Sequence, residues 1–278
     1  MENTGKSSPT PSSLRDATPS ASERGIRTFG RIHGKKLSAR QQWLVDNLLP
    51  QLAPTDIDTD TILEIGFGAG EHLLHLAREN PDSLIIGAEP FINGVASLLS
   101  QMTEPVGAGS ARPESTNPEW GGLTPPLQLI KPEYKNIRIW PNDVRKLLAV
   151  SCSLLVDKNF AIRKIFILHP DPWPKARHEK RRLLNTEFLN LLSTHLTPNG
   201  QIIIGTDHGD LFNWILEQAK AVGALRDPGP QKIVDFLGWS APLQITIHDS
   251  PPENGLDTRY KTKDLFGTKT TKYIALQN

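Results

Sequence analysis

Short apolar runs, many of them β-branched, alternate along the chain with segments of helical spacing. The runs lie at 61–65, 84–88, 137–140, 164–168, 201–204, 244–248 and 272–276. Runs that are apolar on both faces are typical of a parallel sheet covered by helices on both sides. The pattern predicts an α/β fold with a seven-stranded, mostly parallel sheet. The last two runs lack a clear helical pattern between them, so we expect the last strand to be antiparallel.

Segments of helical spacing lie between most of these runs. EHLLHLAREN and LFNWILEQAKAV are two of them, and LLNTEFLNLLSTHL reads as an amphipathic helix. Nearer the N-terminus, LSARQQWLVDNLLP predicts a short helix. Ser38 can cap its start, and Pro50 lies at its end.

The composition changes along the chain predict its organisation. Residues 1–24 are nearly all Ser, Thr, Pro and small residues, which predicts a disordered tail. Residues 25–52 form a basic segment followed by the first helix. Residues 53–278 form the main domain, interrupted at 103–133 by a stretch with six prolines and four glycines and no clear period. We interpret that stretch as a surface insertion.

Bulk composition excludes several classes of protein. The net charge is only +1, so any nucleic-acid affinity must come from clustered charge. Cys152 is the single cysteine, which excludes an intramolecular disulfide and a zinc finger built on several thiolates. No apolar run is long enough to span a bilayer, and the N-terminus lacks a secretory pattern. We therefore expect a cytoplasmic protein with no membrane partner and no metal.

A glycine-rich loop, EIGFGAG, follows directly from the first strand. Gly66, Gly68 and Gly70 allow a tight turn and a close approach of the backbone to a ligand. The second strand ends at Glu89, where an acid can accept both hydroxyls of a ribose. Together these features predict a nucleoside-bearing cofactor at the carboxyl edge of the sheet.

The loop favours one cofactor class. Its G-x-G-x-G spacing differs from the classical dinucleotide fingerprint. Glu64 places a carboxylate where a diphosphate would be repelled but an amino group and a sulfonium would be tolerated, which favours S-adenosyl-L-methionine over NAD. Asn142 and Asp143 follow the third strand. They either read an adenine amino group or cap the next helix, and spacing alone does not choose between these roles.

The fourth strand leads into a proline-rich loop, HPDPWP, at the same edge. Residues before proline are disfavoured in the helical region, so we expect His169, Asp171 and Trp173 to be extended. A stiff loop would hold Asp171 at the mouth of the crevice, which suits a reaction centre. Trp173 offers a flat face for stacking on a base or packing at the rim. The alternative interpretation is a rigid turn with a helix cap.

Two basic runs indicate a polyanionic partner. Residues 24–40 hold six Lys or Arg and no acid, and KARHEKRR at 175–182 holds five cations and one anion. We expect the second run to form the first turns of the following amphipathic helix, where cations oppose the helix dipole. That unfavourable placement suggests binding to phosphates. The candidate RNA-backbone contacts are Arg27, Arg31, Lys35, Lys36, Arg177, Lys180, Arg181 and Arg182.

Six segments carry a resemblance to a known family. LEIGFGAGEHL, IIGAEPFINGVASLL, NDVRKLL, HPDPWPKARHEKRR, GTDHGDL and DTRYKTKDL occur in the order seen in the bacterial tRNA (guanine-N7-)-methyltransferases. The resemblance covers about residues 26–275 apart from the insertion. It implies a Rossmann-like class I methyltransferase fold and tRNA as the partner, bound by a monomer or a homodimer. The implied reaction is methyl transfer from S-adenosyl-L-methionine to N7 of guanosine 46 in the tRNA variable loop.

The resemblance also implies site residues. The S-adenosyl-L-methionine site would be lined by Glu64, Glu89, Asp143 and Asp171, with Asp171 also the catalytic residue. The implied substrate contacts are Lys175, Asp207, Thr258, Arg259, Tyr260 and Lys261.

Two positions depart from the family pattern. His169 stands where the family usually has an aromatic residue. Lys261 stands where it usually has a glutamate, and lysine cannot accept a hydrogen bond from guanine. Guanine recognition would then fall to Asp207 or Asp171.

The residues permit a mechanism and three rivals. Guanine N7 carries a lone pair and no proton, so no general base is needed, and a fixed carboxylate would stabilise the positive charge that develops on the purine. One rival is a non-catalytic tRNA-binding protein that retains the fold. The others are a methyltransferase acting on an exocyclic amine or a protein side chain, disfavoured by the two basic runs, and an NAD-dependent enzyme, disfavoured by the acid-rich loop.

Overall fold

The computed structural model covers the sheet, its helices and the strand ends that carry most predicted site residues. The described residues are 28–30, 32, 34–54, 60–104, 129–154, 162–225, 244–250 and 271–277. The predictions that lie outside them concern the tail at 1–24, the insertion between 105 and 128, Arg27, Arg31, Thr258, Arg259, Tyr260 and Lys261. The proposed domain boundaries also stay predictions.

All seven predicted apolar runs lie in strands of one sheet. The strands are β1 (Thr61–Ile65), β2 (Leu84–Ala88), β3 (Ile137–Trp140), β4 (Ile162–Leu168), β5 (Leu196–Thr206), β6 (Gln244–His248) and β7 (Lys272–Gln277). Their order across the sheet is β3-β2-β1-β4-β5-β7-β6. Strands β1 to β5 are parallel, and β7 runs antiparallel to both β5 and β6. The predicted fold class and the antiparallel last strand are confirmed.

Helices cover both faces of the sheet. They are α1 (Ala39–Asn47), α2 (Glu71–Glu79), α3 (Ile92–Met102), α4 (Val144–Leu154), α5 (Thr186–Thr194) and α6 (Gly209–Leu225). Short 3-10 helices occupy Leu49–Leu52, Pro132–Tyr134 and Ala176–Arg181. The Ser38 hydroxyl accepts from the Gln41 N–H, and the Gln41 side chain accepts from the Ser38 N–H, so α1 begins at the predicted cap. Pro50 lies at the start of the first 3-10 helix, beyond the end of α1.

Two apolar cores lie on opposite faces of the sheet. Helices α1, α2 and α3 pack on the face that carries Ile62 and Ile85. Helices α4, α5 and α6 pack on the face that carries Leu63 and Ile86. Each buried leucine or isoleucine stabilises the fold by about 1.5–3 kcal/mol. Because helices cover both faces of the central strands, apolar residues on both faces contribute to this stability. Within the described part of the chain, no helix has both the length and the apolar character required to cross a membrane.

The expectation that the basic run forms the first turns of the next helix is wrong. The run forms the separate 3-10 helix Ala176–Arg181, and the backbone of Arg182 is extended. Helix α5 begins later, where the side chain of its cap residue, Asn185, accepts from the N–H of Phe188 at 2.9 Å. A favoured N-cap residue thus sets the helix start. The cations therefore do not oppose the dipole of α5.

The expectation of an extended backbone at every residue before proline is also wrong. His169 and Trp173 have φ values of 51° and 40°. The His169 N–H donates to the Gly205 carbonyl at 2.7 Å, which extends the β4–β5 ladder by one residue before the chain leaves the sheet. Positive φ costs a residue other than glycine about 1–3 kcal/mol and persists only where the surroundings impose it. The loop at 169–174 is therefore held by its contacts and not by proline sterics alone.

Candidate active site

Five parallel strands end at one edge of the sheet, and each brings a predicted acid to it. Glu64 lies near the end of β1, and Glu89 follows β2. Asp143 follows β3, Asp171 follows β4 and Asp207 follows β5. Because β3, β2, β1, β4 and β5 are neighbours in that order, the five acids line one edge. The glycine loop after β1 and Asn142 beside Asp143 lie at the same edge, so the topology brings these predicted site residues together.

The glycine-rich loop has the conformation that its glycines predict. Gly66, Gly68 and Gly70 have φ values of 76°, 60° and 91°. Gly70 precedes α2, and a Cβ there would lie 2.6 Å from the side chain of Leu98 in α3. A larger residue at this position would therefore be both strained and obstructed.

Glu89 ties the loop to the end of β2. One carboxylate oxygen accepts from the Gly68 N–H and the other from the Phe91 N–H, each at 2.8 Å. Burial raises the pKa of Glu89, the charges of Glu64 and Asp171 raise it further, and the two backbone hydrogen bonds oppose the rise. The mutual repulsion of three carboxylates makes the site favourable for a cationic ligand.

Glu64 is buried beside a histidine to which the sequence patterns gave no role. His72 lies in the first turn of α2, with Nδ1 3.3 Å from Oε2 of Glu64. Within the described part of the chain neither atom makes a well-aligned hydrogen bond, although both are buried. The nearest charged partner of this enclosed Glu64 oxygen is therefore the imidazole of His72, although the contact is too poorly aligned to count as a hydrogen bond. The sequence feature that could have identified His72 is its position, two residues after the last glycine of the loop.

Asp143 is held by two other residues. Arg145 donates to it from Nε at 2.9 Å and from Nη2 at 2.7 Å, and the Thr28 hydroxyl donates at 2.7 Å. Burial would raise the pKa of Asp143, but these hydrogen bonds and the charge of Arg145 outweigh it and hold the pKa below its usual range. The Arg145 N–H also donates to Asp143 at 3.0 Å, so the helix-cap interpretation is confirmed. Asn142 turns its side-chain oxygen to the Asp143 N–H, and adenine reading by this pair stays a prediction.

Residues 28–30, which we call the N-terminal arm, cross the same edge. Thr28 reaches Asp143, as described, and a Cβ on Gly30 would lie 3.6 Å from Oδ2 of Asp171. The arm therefore touches two of the five acids. Sequence reasoning assigned this basic region to RNA alone, because a contact across more than a hundred residues leaves no local pattern.

Removing the Thr28 hydroxyl should loosen the arm. Thr28→Val keeps the shape but removes a hydrogen bond to a charged group, so we expect the free energy of unfolding to fall by about 1.5 kcal/mol. Urea denaturation measures this. Asp143 has a lowered pKa, so its contribution is present above the usual aspartate range and is lost as the pH falls through the lowered value. The variant and the wild type should therefore converge in acid, and Thr28→Ser, the control, should stay near wild type. Equal losses of stability for the serine and valine variants would contradict the assignment.

His169 and Asp207 lie side by side because β4 and β5 are neighbours. Leu168 pairs with Gly205 at the ends of these strands, and His169 Nδ1 lies 3.9 Å from Oδ1 of Asp207. Burial lowers the pKa of His169, while Asp207 opposes the shift. His169 thus contacts a predicted substrate residue.

The basic run divides into exposed and enclosed cations. Lys175, Arg177 and Lys180 are exposed, as are Lys35 and Lys36. Partial burial and the positive charges of the run, from Arg181, Arg177, Lys175 and Lys180, lower the pKa of the neighbouring His178. The run therefore forms a concentrated patch of positive charge beside the Asp171 loop.

Arg182 is enclosed, contrary to the phosphate-facing role predicted for it, whereas Arg181 is half-buried and its RNA contact stays a prediction. The Arg181 guanidinium carbon lies 5.0 Å from the Trp173 ring centre and 5.7 Å from that of Phe29. Trp173 thus packs at the rim, as one of its predicted roles required. Arg182 is only 6% exposed and donates to loop carbonyls, so it is not available to phosphate.

The strand order, the antiparallel β7 and the acid-lined carboxyl edge define a Rossmann-like class I methyltransferase. A family model described as a putative methyltransferase matches residues 58–228. The chain belongs to the tRNA (guanine-N7-)-methyltransferase family. A member from Caulobacter sp. (strain K31) is 33% identical over 250 residues, covering 86% of this chain and 90% of that protein. One from Ruegeria pomeroyi is 34% identical over 282 residues, covering 95% and 98%.

A comparison with solved structures also finds a methyltransferase. The crystal structure of the 16S rRNA methyltransferase KamB is 16% identical and has a TM-score of 0.44, covering 89% of this chain and 98% of that one.

Proposed function

We propose that this protein transfers a methyl group from S-adenosyl-L-methionine to N7 of guanosine 46 in the tRNA variable loop. The observation that carries the proposal is the edge of the sheet, where buried acids lie beside an exposed basic patch. Relatives that match nearly the whole chain are named tRNA (guanine-N(7)-)-methyltransferase. We also propose a cytoplasmic location and action on tRNA as a monomer or a homodimer.

The residues of the edge fit S-adenosyl-L-methionine. The carboxylate of Glu64, at the start of the glycine loop, adds a negative charge that suits the ammonium of the methionine part. Each Glu89 oxygen already accepts one backbone N–H and has a further lone pair for a ribose hydroxyl. A Cβ on Gly66 would meet nothing within 4 Å, so the backbone there is open to the ligand. When bound, this cofactor supplies the electrophilic methyl group.

Asp171 is the residue that we assign to catalysis. Guanine N7 needs no general base, because it carries a lone pair and no proton at neutral pH. Positive charge moves onto the purine ring as the new bond forms. The exposed carboxylate of Asp171, held in a fixed loop, stabilises that charge electrostatically. Alignment of the two reactants supplies most of the remaining rate.

Asp207 is the described residue best placed to recognise guanine. Its carboxylate can accept from the N1 and N2 donors of the base, which a lysine at position 261 cannot do. It lies at the strand end next to that of Asp171, and the His169 imidazole is beside it. We therefore propose that Asp207 takes the role usually given to the family's glutamate. Lys175, which directly follows the loop that carries Asp171, is also a proposed substrate contact.

The test of the function is product mapping. Unmodified tRNA is incubated with labelled S-adenosyl-L-methionine, and the RNA is then cleaved chemically at N7-methylguanosine. We expect cleavage at position 46 and no label in a tRNA that carries adenosine there. Label at another position would correct the site, and no label at all would favour the non-catalytic tRNA-binding alternative. Lys261 favours that alternative. Calorimetry with S-adenosyl-L-methionine distinguishes it from a methyltransferase, because a non-catalytic tRNA-binding protein is expected to bind no cofactor.

The exposed cations should determine how tRNA binding depends on salt. Arg177→Met and Lys180→Met each remove one exposed charge. For each phosphate that is no longer neutralised, the slope of log affinity against log salt should become shallower by about 0.7–0.9. Filter binding over a range of NaCl concentrations measures the slope. Arg78→Met, which removes an exposed charge at the far end of α2, should leave it unchanged. Unchanged slopes in the two basic-run variants would remove these residues from the RNA surface.

A further inference from the structure

We infer that Arg182 is a positioning residue for the proposed methyl transfer, because its guanidinium fixes the loop that carries Asp171. The inference rests on the proposed function of Asp171. It gives a role to an arginine that the charge pattern alone assigns to RNA.

The guanidinium of Arg182 holds the loop directly after Asp171. Its Nε donates to the Pro172 carbonyl at 3.0 Å, and its Nη2 lies 3.5 Å from the Trp173 carbonyl as a longer donor. These two carbonyls belong to the first two residues after Asp171. The planar fork of arginine is suited to reaching two acceptors at once.

The loop needs such a contact because it has few donors of its own. Pro170, Pro172 and Pro174 have no N–H, so the carbonyls are the main backbone groups through which the loop can be fixed. Trp173 also has a φ of 40°, which must be imposed by its surroundings. A buried cation on the adjacent carbonyls supplies that constraint, and the Arg181 guanidinium packs on the Trp173 ring.

The Arg182 guanidinium also contacts residues outside the loop that carries Asp171. Its guanidinium carbon lies 5.1 Å from the ring centre of Trp214 in α6, and Nη1 lies 3.6 Å from a carboxylate oxygen of Glu179. Helix α6 follows β5 and Asp207. Arg182 therefore connects the loop after β4 with the helix after β5.

Three variants test the inference. Misplacing a reacting group by about 1 Å can cost about 100-fold in rate, so we expect Arg182→Met to lower kcat by about that factor. Arg182→Lys keeps the charge without the fork and should lower kcat by about tenfold. In both, the KM for tRNA and the calorimetric Kd for S-adenosyl-L-methionine should stay within about threefold of wild type. Arg78→Met, the exposed control, should leave all three values unchanged.

Several outcomes would overturn the inference. A rise in KM for tRNA with unchanged kcat and a shallower salt dependence would make Arg182 a phosphate contact. Equal losses of kcat and cofactor affinity, parallel to a lower Tm, would make its role merely structural. If Arg182→Met fails to fold, the lysine variant decides, and full kcat there rejects a need for the fork. Absence of tRNA methylation by the wild type would instead reject the proposed function itself.

Discussion

Replacing Asp171 with alanine should lower kcat by about 10³-fold, the upper range for removal of one preorganised electrostatic contact. The carboxylate is the charge that we place opposite the positive purine ring, and neither the nucleophile nor the methyl donor depends on it for its reactivity. The affinity for tRNA should change little, because the exposed cations of the basic run lie in other residues. Single-turnover kinetics with saturating cofactor and unmodified tRNA measure the effect.

Two further variants control this experiment. Asp171→Asn keeps the size and removes the charge, so it should be nearly as slow as the alanine variant if the role is electrostatic. Asp210→Ala removes an exposed aspartate from the first turn of α6 and should be fully active. Near-normal turnover of Asp171→Ala would remove the catalytic assignment. A near-normal kcat for Asp171→Asn would show that hydrogen bonding by the side chain, and not its charge, accounts for the catalytic effect.

Replacing Glu89 with glutamine should weaken S-adenosyl-L-methionine binding by about 100-fold, the size expected for losing one hydrogen bond to a charged group. Both carboxylate oxygens accept backbone N–H groups. An amide must therefore turn its NH₂ toward one of them, whichever way it is oriented. The substitution therefore weakens both the contacts to the ribose and the hydrogen bonding that holds the glycine loop. Isothermal calorimetry measures the affinity, and tRNA binding should be unaffected.

The same carboxyl should make cofactor affinity depend on pH. Because the pKa of Glu89 is raised, it protonates at a higher pH than an ordinary glutamate, and cofactor binding should weaken as the pH falls through that value. The stability of the unliganded protein should change in the opposite sense. A raised pKa contributes stability at low pH that is lost as the pH rises through the folded value. In Glu89→Gln this part of both pH dependences should vanish, and its persistence would assign them to another group.

The strands, the helix faces and the acids at strand ends could be predicted from the sequence because each is a local pattern. A run such as TILEI is apolar on both faces whatever lies next to it, and in a parallel sheet consecutive strand ends meet at one edge. The residues that end β2 and β4 are therefore close neighbours of the glycine loop. Glu89 and Asp171 needed no knowledge of tertiary contacts to be selected.

The supporting residues could not be predicted because their partners are distant in sequence. Thr28 reaches Asp143 across 115 positions, and Arg182 faces inward while its neighbour Lys180 faces solvent. A charge run gives no indication of which of its members are enclosed. The left-handed backbone at Trp173 was missed for the same reason, since the preference of a residue before proline is weaker than the contacts that surround it.

The position of β7 has a consequence for how the chain is assembled on the ribosome. Strand β6 is synthesised before β7, yet its neighbour in the described sheet is β7, and β7 also covers the edge of β5. Until residues 272–277 have emerged, β5 has an open edge and β6 has no strand to join. Open edges invite pairing with other nascent chains. Premature termination upstream of β7 would therefore expose two aggregation-prone strands at once, although every acid of the active site would already have been made.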